Sequence, residues 1–154
     1  MDVLLRLSLV VTPAAAVAAL SVVVDASLPT LEGNYHLRSH VWLALSLVIA
    51  AGSVALALVP SRLVALAAGC VAGGVVGNLV SWLGHDETVP NPLVAGAFAF
   101  TCADVAVFAG ALLLTFALAR VTIRHRERID RVIPPRRWER RLRKRLGLGP
   151  TDAP

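Results

Sequence analysis

Four long runs of apolar residues, nearly free of charge, decide most of what this chain can become. They are residues 7–24, ended by Asp25; 41–59, ended by Pro60; 63–83; and 93–119, ended by Arg120. The hydrocarbon core of a bilayer is about 30 Å thick, so a spanning helix needs roughly 20 apolar residues. Lipid cannot satisfy backbone N–H and C=O groups, so each run must be a helix or part of a closed barrel. The runs are continuous rather than alternating, which selects helix. The expected fold is therefore an all-α membrane protein with four transmembrane helices in residues 1–121 and a tail in 122–154. Composition agrees: 16% of residues are charged, where a soluble domain carries about a quarter. Arg6 followed by an apolar stretch also fits a cleaved signal peptide, but the first run exceeds the length of an ordinary signal core, and the spanning reading is preferred.

Charge then orients the spans. Twelve of the fifteen Lys and Arg residues lie from Arg120 onward, leaving Arg6, Arg38 and Arg62 before it. Positive charge marks the cytoplasmic side, so the tail should lie inside, and with four spans the N-terminus as well. The Pro60-Ser61-Arg62 turn faces in. The outer segments, residues 25–40 and 84–92, carry Asp25, Glu32, Asp86 and Glu87 against a lone Arg38. This places the protein in the cytoplasmic membrane, with membrane lipids as its surroundings.

A few residues inside the apolar runs stand out chemically. Asp104 lies about a third of the way into the fourth run, where an ionisable group is costly and faces a protein interior or a wet cavity. There it either binds a neighbouring helix as a neutral acid or holds and shuttles a proton. Gly69, Gly73 and Gly77 repeat every four residues and share one helix face, which lets another helix approach closely. Asn78 follows near the outer end of the same helix and, if buried, needs partners; helix glue and site support both remain open. Asp25 marks the end of the first span. Asp86 and Glu87 read as solvated loop charges. Asn78, Asp25, the 84–92 loop and Asp104 all lie toward the outer face and could line one pocket. Cys70 and Cys102 read as buried thiols. Their spacing matches no metal site, and no nucleotide-binding loop is present, so neither metal nor cofactor is expected.

In the tail, Arg124 to Arg131 should continue the fourth helix until Pro134-Pro135 breaks it. Beyond, Trp138, Leu142 and Leu146 fall at four-residue spacing, with Arg137, Arg141, Lys144 and Arg145 on the other faces. This pattern predicts an amphipathic helix on an anionic inner leaflet. A basic run also suits nucleic acid, but no recognition motif accompanies it and lipid is preferred. The last residues, 147–154, read as disordered.

Two blocks carry a family resemblance. The third run ends Gly73-Gly74-Val75-Val76-Gly77-Asn78-Leu79, and the fourth contains Phe100-Thr101-Cys102-Ala103-Asp104 with Gly110 six residues on. Together with Asp25 at the end of the first run, they resemble signal peptidase II, the lipoprotein signal peptidase, over roughly residues 7–119. That resemblance implies four transmembrane helices with both ends in the cytoplasm. It further implies an aspartic endopeptidase that cuts lipidated prolipoproteins on the outer side, with Asp104 as one catalytic carboxylate and Asp25, Asn78 and Thr101 supporting it. The chain also departs from the pattern. Ser81-Trp82 stand where the family has Asp-Arg, Thr101 where it has Asn, and Asn91 at the apparent position of the other catalytic Asp. Ala26 and Pro29 replace a Gln and a Lys. An amide cannot act as a general base, so a second carboxylate would have to come from Asp86, Glu87 or Asp25. The alternatives are a non-catalytic protein that binds lipid or lipidated peptides, and a small membrane scaffold or transport accessory using Asp104 as an ion site.

Overall fold

The computed structural model describes residues 2–31, 34–132, 141–142 and 144–147. The chain divides into two compact units, residues 1–117 and 118–154. In order, the elements are α1 (Val3–Ser27), β1 (Tyr35–Leu37), α2 (His40–Ala55) with a 3₁₀ turn (Leu56–Leu58), α3 (Arg62–Gly84), β2 (Thr88–Pro90), β3 (Leu93–Ala95), β4 (Phe98–Phe100) and α4 (Cys102–Val132). Four helical stretches are long and apolar enough to cross a membrane: Val3–Ser27, His40–Leu58, Arg62–Gly84 and Cys102–Arg126. This is a multi-pass membrane protein.

Local chemistry sets the helix ends. Asp2 caps α1 by accepting from the Leu4 amide at 3.2 Å. Ser39 caps α2 through the Trp42 amide, and Ser61 caps α3 through that of Val64. Each side-chain oxygen satisfies one of the amides that a helix N-terminus leaves without an internal partner. Asp25 does not end α1, as the sequence suggests. The helix runs on to Ser27, so the carboxyl sits on its last turn.

The fourth run departs most from expectation. Its first third is not helical. Residues 93–95 and 98–100 pair as an antiparallel hairpin, Leu93 opposite Phe100 and Ala95 opposite Phe98, joined by Gly96-Ala97. Gly96 has φ +62°, the left-handed conformation that a two-residue hairpin turn of type II′ demands at its first position. The helix begins only at Cys102. Asp104 is thus in the first turn of α4 and not partway along a span.

α3 is the centre of the first unit. Two-thirds of its most apolar window is buried, against 11–17% for the other three helices, whose apolar faces remain open. Glycines allow this close central position. A Cβ on Gly69 would meet the Val10 carbonyl oxygen at 2.6 Å, and one on Gly73 that of Ala14 at 2.6 Å. Gly77 meets Ser21. The expected glycine face is therefore the seat of α1. Gly74 and Gly110 make a second seam: a Cβ on Gly74 would lie 2.5 Å from the Ala103 carbonyl oxygen, and one on Gly110 would meet Val71 and Cys70. Without a hydrophobic driving force between helices in lipid, such close backbone approach is what dispersion needs. Cys70 and Cys102 are free and half-buried, not fully buried as their apolar flanks suggest.

At one end of this unit, Arg6 is buried and donates from Nη1 to the Leu58 carbonyl at 2.9 Å, tying α1 to the 3₁₀ turn. At the other end β1 pairs with β2, with Tyr35 opposite Pro90 and Leu37 opposite Thr88. The α1–α2 and α3–α4 connections are thereby stitched together over the same end. The Arg38 amide donating to the Glu87 carbonyl at 3.0 Å extends that stitch.

Candidate functional site

The polar site lies at the end where α1 and α3 finish and α4 starts. Its base is the first turn of α4. Thr101 is the N-cap. Its hydroxyl oxygen accepts from the Asp104 amide at 2.9 Å, and the Asp104 carboxylate Oδ2 accepts from the Thr101 amide at 3.1 Å. This reciprocal pair is a capping box with Asp in the acidic position. The stretch Thr101-Cys102-Ala103-Asp104 spells the box, and it is why α4 starts where it does.

α3 completes the network through Asn78. The Asn78 amide nitrogen donates to Asp104 Oδ1 at 2.8 Å, and the Thr101 hydroxyl donates to Asn78 Oδ1 at 2.9 Å. The pattern fixes the Asn78 orientation. The Thr101 oxygen already accepts from an amide, so its proton must go to a carbonyl oxygen, and the NH₂ group is left for the carboxylate. Asn78 is 7% exposed and Thr101 fully buried, whereas Asp104 is only half-buried. One carboxylate is thus held by two donors with its remaining lone pairs open for a ligand.

A second carboxylate approaches the same helix end from α1. The Asp25 side chain faces the Cys102 amide and the Ser81 hydroxyl, with Asp104 and His85 in electrostatic range. It is 7% exposed, and neither of its oxygens closes a hydrogen bond of normal geometry. The Cys102 amide is the first of α4 and has no partner within the helix, so the positive end of the helix dipole points at Asp25. The sequence gives little sign of Ser81 and His85 as members of this group. The available signal is their four-residue spacing: Ser81 stands on α3's last turn and His85 is its C-cap, and the His85 ring Nδ1 donates to the Ser81 carbonyl at 2.8 Å.

Asn91 has a different setting. Its amide nitrogen bonds the His36 imidazole, its backbone N–H donates to the Asn34 carbonyl at 3.0 Å, and it is 1% exposed. Asn91 therefore fastens the β1–β2 stitch, and its Oδ1 is buried without a partner. Asp86 and Glu87 are exposed, in left-handed backbone conformations with φ +46° and +65°. Glu32 lies outside the described residues. Of the three candidates for a second carboxylate, Asp25 is the one facing the start of α4.

In the tail, Arg141, Leu142, Lys144 and Arg145 are exposed and helical, and the Leu146 amide donates to the Leu142 carbonyl at 3.0 Å. Pro134, Pro135, Arg137 and Trp138, and the expected disordered end from 148 on, lie outside the described residues. Among the described residues no group of His, Cys, Asp or Glu could hold a metal ion. Comparison of the chain with protein-family models, curated proteins and solved structures gives no match.

Proposed function

We propose that this chain is a membrane-embedded aspartic endopeptidase of the signal peptidase II type, acting on lipidated precursor peptides. The observation that carries the reading is Asp104. It is a half-buried carboxylate locked by Asn78 and Thr101 at a helix N-terminus, between helices whose open apolar faces would admit acyl chains. Peptide hydrolysis by carboxyl groups needs one that takes a proton from water and one that gives a proton to the scissile carbonyl. A carboxylate with fixed donors and open lone pairs suits the first task.

In this reading both termini are cytoplasmic and the stitched end of the bundle faces outward across the cell membrane. The excess of Lys and Arg from Arg120 onward supports that orientation. In this reading the sequence pattern of Arg137, Trp138, Arg141, Leu142, Lys144 and Arg145 seats the tail on the anionic inner leaflet.

The test is incubation of the purified protein, in lipid, with a diacylglyceryl-modified precursor peptide. Wild type should cut it, and Asp104→Asn should not, while still binding the peptide. Asn91 favours one competing reading, because an amide stands where the family pattern has a carboxylate: a non-catalytic binder of lipidated peptides. A wild type that binds without cutting, and gains cleavage on Asn91→Asp, establishes that second reading instead.

A further inference from the structure

From the geometry at the start of α4, we infer that Asp25 is the second carboxylate of the site, working opposite Asp104 in the role that the sequence pattern would give to position 91. The inference rests on the peptidase reading above.

Three helices meet at Gly77. A Cβ there would lie 3.1 Å from Ser21 Cβ of α1 and 3.4 Å from Ala103 Cβ of α4. One helical turn further along α1 stands Asp25, and one turn further along α3 stands Ser81. Ala103 adjoins Asp104. The convergence point thus brings Asp25, Ser81 and Asp104 to neighbouring helix ends, with Asp104 in electrostatic range of Asp25 and the Asp25 side chain facing the Cys102 amide and the Ser81 hydroxyl.

Asp25 is buried beside the Cys102 amide and the Ser81 hydroxyl, neither of them at full bonding geometry. It is more than nine-tenths buried and neither oxygen closes a hydrogen bond, although Ser21, on the same face one turn below, satisfies its own hydroxyl through the Val17 carbonyl. A buried carboxyl with neither oxygen closing a hydrogen bond is costly, and a bound substrate carbonyl would offset that cost. Asn91 cannot take the role, since an amide is no general acid and its nitrogen is bonded to His36.

The two environments differ in the way an acid–base pair requires. Asp104 has an amide donor bonded to each oxygen; Asp25 has donors nearby but none at bonding geometry. In the forward step Asp104 takes a proton from water as the water oxygen bonds to the scissile carbonyl carbon. Asp25 gives its proton to the carbonyl oxygen, and a gem-diol forms. In the second step Asp104 passes its proton to the amide nitrogen as the C–N bond breaks, and a gem-diol hydroxyl returns a proton to Asp25. One water is consumed, and a carboxyl and an amine are released.

The experiment is steady-state cleavage of the diacylglyceryl peptide across pH by wild type, Asp25→Asn and Asp104→Asn, in lipid, with thermal unfolding of each. Asp25→Asn should lower kcat by at least about 100-fold, the scale of a lost general acid. KM should stay near wild type, and one limb of the bell-shaped pH profile should vanish. Cleavage by Asp25→Asn near the wild-type rate, with Asp104→Asn inactive, overturns the assignment and leaves the peptidase reading standing. A loss that only tracks the fraction folded, with an unchanged pH profile, makes Asp25 structural and overturns it as well. An inactive wild type overturns the peptidase reading, and the role of Asp25 with it.

Discussion

Thr101 does two things at once. It caps α4 by accepting from the Asp104 amide, and it orients Asn78. Thr101→Ala removes the cap, worth about 1 kcal/mol, and strands the Asn78 carbonyl, a further cost of about 1–3 kcal/mol for a buried acceptor. Unfolding in detergent should show a loss of roughly 2–4 kcal/mol, while Thr101→Ser, which keeps the hydroxyl, should stay close to wild type. An equal loss in both would assign the role to the Thr methyl group and not to the hydroxyl. Asn78→Leu should act on Asp104 more directly, since it removes the donor on Oδ1. Asp104 and Asn78 are legible as chemically unusual residues in apolar sequence, because a polar group there must find a partner, whereas Thr101 stands out only through the family resemblance. Their mutual arrangement is not legible, since Asn78 is 26 residues from Asp104 and which helix faces touch depends on packing.

Among the elements, the glycine seams offer the sharpest contrast. Gly73→Ala would place a methyl 2.6 Å from the Ala14 carbonyl oxygen and 2.7 Å from Val17 Cβ. Both are poorly able to move, so overpacking should cost about 1–3 kcal/mol. Gly52, exposed in the last turn of α2, has open space where a Cβ would stand, and Gly52→Ala should gain a few tenths to about 1 kcal/mol from helix propensity. Thermal unfolding of the two variants should therefore move in opposite directions, and a common sign would mean the seam yields. The seam facing α1 is readable from the four-residue glycine spacing alone. The hairpin of β3 and β4 is not, because a run that is apolar on both faces carries no periodicity to separate strand from helix. The local signals are Gly96 in the turn, Phe98 and Phe100 alternating, and the Thr-x-x-Asp box that starts α4. Hydropathy counts the whole stretch as one span and so misplaces Asp104 in depth.

For the whole molecule, four apolar spans are plain in the sequence because bilayer thickness fixes their length. The stitch between residues 35–37 and 88–90 is invisible there, as its partners are far apart in the chain and share no pattern beyond short strands. It nonetheless fixes that both connections lie at one end, as the four-span topology requires. The orientation proposed above predicts opposite accessibility for two positions. In a background with Cys70 and Cys102 replaced by Ala, Glu87→Cys should react with an impermeant maleimide from outside intact cells, and Leu146→Cys only after the membrane is opened. The reverse pattern would invert the protein and remove the site from the face where lipidated precursors emerge.

Asp104 as one half of a hydrolytic carboxylate pair is the claim on which the rest depends, and it can be tested without the natural substrate. A pair that stabilises a gem-diol should hold a lipidated peptide with a hydroxyl-bearing carbon in place of the scissile carbonyl more tightly than the same peptide with a plain methylene there, since analogues of the transition state gain about 10²-fold or more. The measurement is the ratio of the two dissociation constants in lipid nanodiscs, for wild type and Asp104→Asn. A ratio of about 100 or more that collapses toward one in the variant is the predicted result; equal affinity of wild type for both peptides would contradict a catalytic pair at this site.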